Sequence, residues 1–242
     1  MYFWNARFRF CFRYQKQDLG FKMSDLNQLI LDFDYEQNFK NLDFYVSKSN
    51  THVFNLIKNW SKHNQKFLNI IGEKFSGKSH LINIFLETNK GIKIISNELD
   101  DFFLKKIKLH QNIILEDLTL SIDEKKLYSL INIIESENKN LVVTSQISIS
   151  DINFKLPDLK SRAKKFNLTK INNPDDDLIF ALILKNLSDR QISINKKLID
   201  YIIKRIDRSY SNISDFIYKI DQLSLKKKRS IDFKIIKEAL GD

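Results

Sequence analysis

Cysteine occurs once in this chain, at Cys11, so no disulfide can close within it, and the four histidines are too scattered to make a metal cluster. No run of about 18 uncharged apolar residues is present, which argues against a membrane-spanning helix. Residues 1–22 carry arginine or lysine every few positions and lack the apolar stretch of about 7–15 residues that a secretion signal needs. These absences point to a cytoplasmic protein with no membrane partner. Glycine is also rare, five residues in 242, yet two of the five stand close together at Gly72 and Gly77.

The formal net charge of +10 invites a nucleic-acid reading. Its distribution weakens that reading, because Arg7, Arg9, Arg13, Lys16 and Lys22 against Asp18 place +4 of it in residues 1–22. The remainder is spread along a Lys-, Ile- and Asn-rich chain. The one dense run, Lys226-Lys227-Lys228-Arg229, reads as a solvated helix end or loop in preference to a DNA site. More ordinary sequence begins at Met23, so residues 1–22 are set aside as a start-site extension or disordered arm. With 43% hydrophobic residues, the length suits one core of about 100–200 residues plus a small second domain.

The paired glycines belong to Gly72-Glu73-Lys74-Phe75-Ser76-Gly77-Lys78-Ser79, the pattern G-x-x-x-x-G-K-S. An apolar run around Leu68, Ile70 and Ile71 precedes it, and a helically spaced segment with Leu81, Ile82, Phe85 and Leu86 follows. Strand, glycine loop and helix in that order make a phosphate-binding loop. Glycines let the backbone wrap an anion, amide N–H groups and the helix N-terminus face it, and Lys78 reaches the outer phosphates. Ser79 is placed to ligate Mg²⁺.

Around the loop, Thr51 to Trp60 has helical spacing with Asn50 or Thr51 as the cap. Residues 91–97 read as a strand, 98–107 as a short helix, 112–118 as a buried strand ending in acids, and 141–145 as another buried strand. The helix between the last two has Ser121 as a candidate cap, with Glu124 at the capping-box position. Uninterrupted apolar strands alternating with helices indicate an α/β fold with a parallel sheet covered on both faces. Asn172-Asn173-Pro174 is the clearest break, and beyond it 175–188, 195–206, 211–225 and 231–240 all read as helix. The expected organisation is therefore a peptide segment at 23–37, a nucleotide-binding base at 38–173 and a helical lid at 174–242.

Glu116-Asp117 end an apolar strand about 40 residues after the loop, where a carboxylate can hold the nucleotide's Mg²⁺. Thr144-Ser145 end the next strand, and their hydroxyls either face the γ-phosphate side or form a surface turn. Arg162 follows that last strand and precedes the helical region.

This order of elements resembles the AAA+ domain of the DnaA family of replication initiators, and more closely its Hda branch of regulatory inactivators, over residues 23–242. The resemblance rests on "GEKFSGKSHL", on "LPDLKSR", and on the C-terminal "RIDRSYSNISDFIYKIDQLSLKKKRSIDFKIIKEAL", whose Ile220-Asp221-Gln222-Leu223 is similar to the family's Leu-Asp-Gln-Leu. It also rests on "NQLILDF", similar to a sliding-clamp-binding peptide. Gln28 would hydrogen-bond at a polar niche, and Leu29, Leu31 and Phe33 would anchor an extended peptide in an apolar groove.

The resemblance implies a P-loop AAA+ fold with a helical lid. It implies ADP or ATP with Mg²⁺ as cofactors, bound by Gly72, Gly77, Lys78, Ser79, His80, Glu116, Asp117 and Thr144, with Ser79 and Glu116 on the metal. It identifies Arg162 as an arginine finger acting in trans on ATP held by DnaA. The implied partners are DnaA and the sliding clamp (the beta subunit of DNA polymerase III), with DNA reached mainly through the clamp.

The chain stops after the lid, where DnaA continues into a DNA-binding domain, so origin binding is not expected. Two departures stand out. The first acid is Glu116 where the family usually has Asp, and Asp117 stands where many AAA+ proteins have a catalytic Glu. The second-sensor arginine aligns with Ser214, leaving Arg208 as a possible substitute. An activator of DnaA-bound ATP hydrolysis is expected over an efficient ATPase. The alternative is an autonomous AAA+ ATPase acting as a helicase-loader-like or DnaA-like factor.

Overall fold

Five short strands form one parallel sheet in the structure, a computed structural model that describes residues 44–60 and 66–241. The strands are β1 (Phe67–Ile71), β2 (Gly91–Ile95), β3 (Asn112–Leu118), β4 (Asn140–Ser145) and β5 (Asn167–Lys170), in the spatial order β2-β3-β4-β1-β5. The segment 1–22 and the peptide 23–37, with Gln28, Leu29, Leu31 and Phe33, lie outside the described residues.

Side chains alternate between the faces of a strand, and here both faces are apolar. Ile113, Leu115, Leu141 and Val143 point to one face. They meet α3 (Asp101–Lys106), α4 (Glu124–Ser136) and α5 (Pro157–Ala163). Leu68, Ile70, Ile114 and Val142 point to the other, against α1 (Thr51–Lys58) and α2 (Lys78–Thr88). Leu178 of α6 (Asp176–Asp189) and Tyr210 of α8 (Tyr210–Lys227) join this second core. With α7 (Lys196–Ile203) and α9 (Phe233–Leu240), α6 and α8 also build a third core from Ile179, Ile183, Ile199, Ile217 and Ile236 among others. No helix among the described residues is long and apolar enough to cross a membrane.

The sequence reading differs from the structure at several points. β5 was not expected as a strand. Its pattern is exposed at three of four residues because it is the sheet's edge, so no apolar run announces it. Arg162 consequently lies on α5, before the last strand and not after it. Helix α4 is capped by Asp123, whose carboxylate accepts from Lys125 N (2.9 Å) and Lys126 N (3.3 Å). Ser121 pairs instead with Thr119, and Glu124 turns away to accept the Lys155 and Leu156 amides at 2.9 Å each. β2 ends at Ile95 and passes into a 3₁₀ turn at Ser96–Glu98.

Candidate functional site

The registers Ile71↔Ser145 and Ile95↔Glu116 bring the carboxyl ends of β1, β2, β3 and β4 to one edge, the edge where open α/β sheets bind ligands. The glycine loop leaves from there. Gly72 N donates to Ser145 O at 3.1 Å. A Cβ at Gly72 would stand 2.5 Å from Ser76 Oγ, so a side chain there would push the Ser76 hydroxyl out of its position. Gly77 has φ +90° and caps α2, a conformation that costs glycine little. Phe75 shares the positive region at φ +65° and exposes its ring. The loop thus curls around the N-terminus of α2, whose first amides have no partner within the helix. That arrangement is a ready anion seat.

Lys78 lies along the inner wall, 6% exposed, with Nζ donating to Gly72 O and Glu73 O at 2.9 Å each. Burial lowers its pKa, and the carboxylates of Asp117, Glu116 and Glu73 oppose that shift. Glu116 is equally buried. Its Oε2 lies 3.3 Å from Lys93 Nζ on the neighbouring strand. Its Oε1 and the Ser76 hydroxyl are the two buried side-chain polar atoms without a hydrogen-bond partner among the described residues. A buried carboxylate with one unpartnered oxygen, beside a loop built for phosphate, fits a hard divalent cation. No cluster of three or more His, Cys, Asp or Glu among the described residues could hold a metal alone, so such an ion would share its shell with phosphate and water.

A break in the β3–β4 register between Leu115 and Leu118 re-aims Asp117, which has φ +50° and an exposed side chain. Its N–H donates to Thr144 Oγ1 at 2.9 Å, and its carbonyl accepts from Ser96 Oγ at 2.5 Å. Thr144 and Ser145 are both buried, which excludes the surface-turn alternative. Ser145 Oγ accepts from Asn69 Nδ2 at 2.8 Å, and Asn69 Oδ1 accepts from Ile149 N at 2.9 Å.

Ser79 is half-buried in the first turn of α2. His80 packs edge-on against Phe44, ring centroids 5.2 Å apart, and Phe44 also closes on Gly77. Arg162 lies between the Tyr128 ring, 5.1 Å from its centroid, and the Glu135 carboxylate, which Lys165 also engages at 2.7 Å. Arg208 pairs with Asp176 at 2.7 Å, its side chain 57% exposed.

Sequence reasoning missed Glu73, Asn69 and Lys93. An asparagine inside the apolar run Leu68–Ile71 was a usable signal, since a buried amide needs partners. Glu73 gave none, because its partners are 136 to 138 residues away. Its Oε1 accepts from Ser209 Oγ (2.8 Å) and Ser211 N (3.2 Å), and its Oε2 from Tyr210 N (2.9 Å), all at the start of α8.

No protein-family model matches the chain. An uncharacterized protein of Haemophilus influenzae is 24% identical over 212 residues, 82% of this chain and 92% of that protein. The chromosomal replication initiator protein DnaA of Buchnera aphidicola is 22% identical over 240 residues, 88% of this chain and 55% of the relative. The chain thus spans about half the length of the DnaA relatives it matches. Among solved structures, domain III of the Thermotoga maritima replication initiation protein DnaA superposes with TM-score 0.68 at 18% identity, covering 84% of this chain and 96% of that one. AMPPCP-bound DnaA from Aquifex aeolicus gives 0.61 at 17%, covering 81% and 68%. The Thermotoga maritima RuvB Holliday junction branch migration motor gives 0.63 at 16%, covering 84% and 73%. The fold is that of a DnaA-like AAA+ domain.

Proposed function

We propose that this chain is a replication regulator of the Hda type: it holds ADP or ATP in the loop 72–79, docks on the sliding clamp through residues 27–33, and supplies Arg162 in trans to ATP bound by DnaA. Loop amides and the N-terminus of α2 receive the phosphates, and Lys78 exchanges the carbonyls of Gly72 and Glu73 for phosphate oxygens. Ser79 and Glu116 would hold Mg²⁺, which when bound offsets the phosphate charge. Arg162 exchanges Glu135 for a neighbour's triphosphate, where a guanidinium stabilises charge developing in phosphoryl transfer, a gain of about 10³–10⁵ in related GTPase systems. Tethering on the clamp raises local concentration, so modest direct affinity for DnaA suffices.

The observation that carries this reading is the setting of Arg162: half-buried on α5, its contacts are Tyr128 and Glu135, not the loop of its own chain. Arg208 is engaged by Asp176, while Lys78 Nζ donates to the Gly72 and Glu73 carbonyls and Lys93 faces Glu116. Arg162→Ala is expected to keep clamp capture and nucleotide binding while stimulated hydrolysis by DnaA falls at least a hundredfold. Stimulation equal to the parent's rejects the finger.

One observation favours a second reading, an autonomous ATPase. Glu116 and the exposed Asp117 offer two adjacent carboxylates, one for metal and one for water activation. Steady turnover of ATP without DnaA, abolished by Asp117→Asn, would select it.

A further inference from the structure

Glu73 occupies a variable position of the phosphate loop, yet its carboxylate reaches the helical C-terminal segment. Its two oxygens accept three hydrogen bonds, from Ser209 Oγ, Tyr210 N and Ser211 N at 2.8, 2.9 and 3.2 Å. The Tyr210 and Ser211 amides open α8, so the carboxylate satisfies donors that an 18-residue helix leaves over and lies at the positive end of its dipole. The main chain of Glu73 is held from the other side, its carbonyl accepting from Lys78 Nζ and from Ser76 N at 3.2 Å. One residue is therefore pinned both to α8 and to the lysine that serves phosphate.

We propose that Glu73 is a positioning residue for the nucleotide site: by clasping α8 it holds the loop in its anion-ready shape before phosphate arrives. The inference rests on the nucleotide reading above and extends it to a residue that touches no phosphate. Two effects of Glu73 oppose each other, which makes the claim testable. As a negative charge near incoming phosphates it weakens binding. As the anchor of the loop it strengthens binding, because a preorganised site loses less freedom when it is filled. If charge alone mattered, every neutral replacement would bind nucleotide more tightly.

The test titrates a fluorescent ADP into the full-length chain and three variants. Glu73→Ala removes charge and clasp together and is expected to weaken binding about tenfold. Glu73→Gln removes the charge but keeps one oxygen able to accept from Ser209 and Ser211, and is expected to bind within about threefold of the parent. Ser209→Ala leaves the loop untouched and removes one clasp donor; it should weaken binding several-fold. Added to Glu73→Ala it should cost nothing further, the signature of residues acting through one another. Amide exchange at Tyr210 and Ser211 should accelerate in Glu73→Ala, showing that the variant is folded but unclasped. Tighter binding by both Glu73 variants, or additive losses in the double variant, overturns the positioning role and leaves the nucleotide reading intact. No binding by the parent chain overturns both.

Discussion

Asn69 shows how much a single polar side chain can hold inside an apolar sheet. It is fully buried on β1, and its amide donates to Val143 O at 3.2 Å and to Ser145 Oγ at 2.8 Å while accepting from Ile149 N. It thus ties the loop-bearing strand to the end of β4, beside the hydroxyl pair Thr144 and Ser145. Asn69→Leu would strand the Ser145 hydroxyl and the Ile149 amide, each orphan costing about 1–3 kcal/mol. We expect urea denaturation to report a loss of about 2–4 kcal/mol, with the midpoint shifted and the slope kept; a loss below 0.5 kcal/mol would mean that water replaces the amide. The glycine loop was legible in sequence because its constraints are local. The close approach at Gly72, the positive φ of Gly77 and the Lys78 contacts are set within a few residues, whereas Asn69 and Glu73 act across 74 to 138 residues. Sequence spacing carries no record of such pairs.

The elements followed the same division. Buried strands such as β3 and β4 were visible because both faces of the sheet are covered, so their apolar runs are unbroken. β5 was invisible because a short edge strand needs little apolar surface, and Leu168 is in fact half exposed. The start of α4 was misplaced by a local rule with two possible answers. Ser121 and Asp123 are both good caps, and tertiary demand decided between them: Glu124 is needed to accept the Lys155 and Leu156 amides that lead into α5. The contrast gives a direct check. Asp123→Ala should destabilise the chain by about 1 kcal/mol, the usual worth of a cap, whereas Ser121→Ala should stay within about 0.5 kcal/mol of the parent. Equal effects in thermal melts would return the cap to Ser121. Because Glu124 sets the start of α5, Glu124→Ala should also disturb Arg162 at the far end of that helix.

At the scale of the molecule, the sheet edge and the helical segment meet around Tyr210. Its hydroxyl donates to Asn172 O at 3.0 Å, its amide donates to Glu73, and its ring lies in the core shared with α1 and α2. Burial raises its pKa to about 12, with Asp175 and Glu73 adding to the rise and a hydrogen bond with Ser49 opposing it. Below pH 10 the phenol is protonated in folded and unfolded chains alike, so its contribution is complete. Between the ordinary value of 10.0 and about 12 the unfolded tyrosine gives up its proton while the folded one keeps it. The unfolded state then binds fewer protons, and stability falls as pH rises. One proton corresponds to a slope of at most about 1.4 kcal/mol per pH unit. Tyr210→Phe removes this slope, at the cost of the bond to Asn172, so its stability curve should start lower near pH 9 and run closer to the parent's by pH 12. Parallel curves for the two proteins across that range would show that the phenol titrates freely and that α8 is not seated against the sheet edge in solution. If they converge, the element carrying the Glu73 clasp is held at the rim of the phosphate loop before any nucleotide is present.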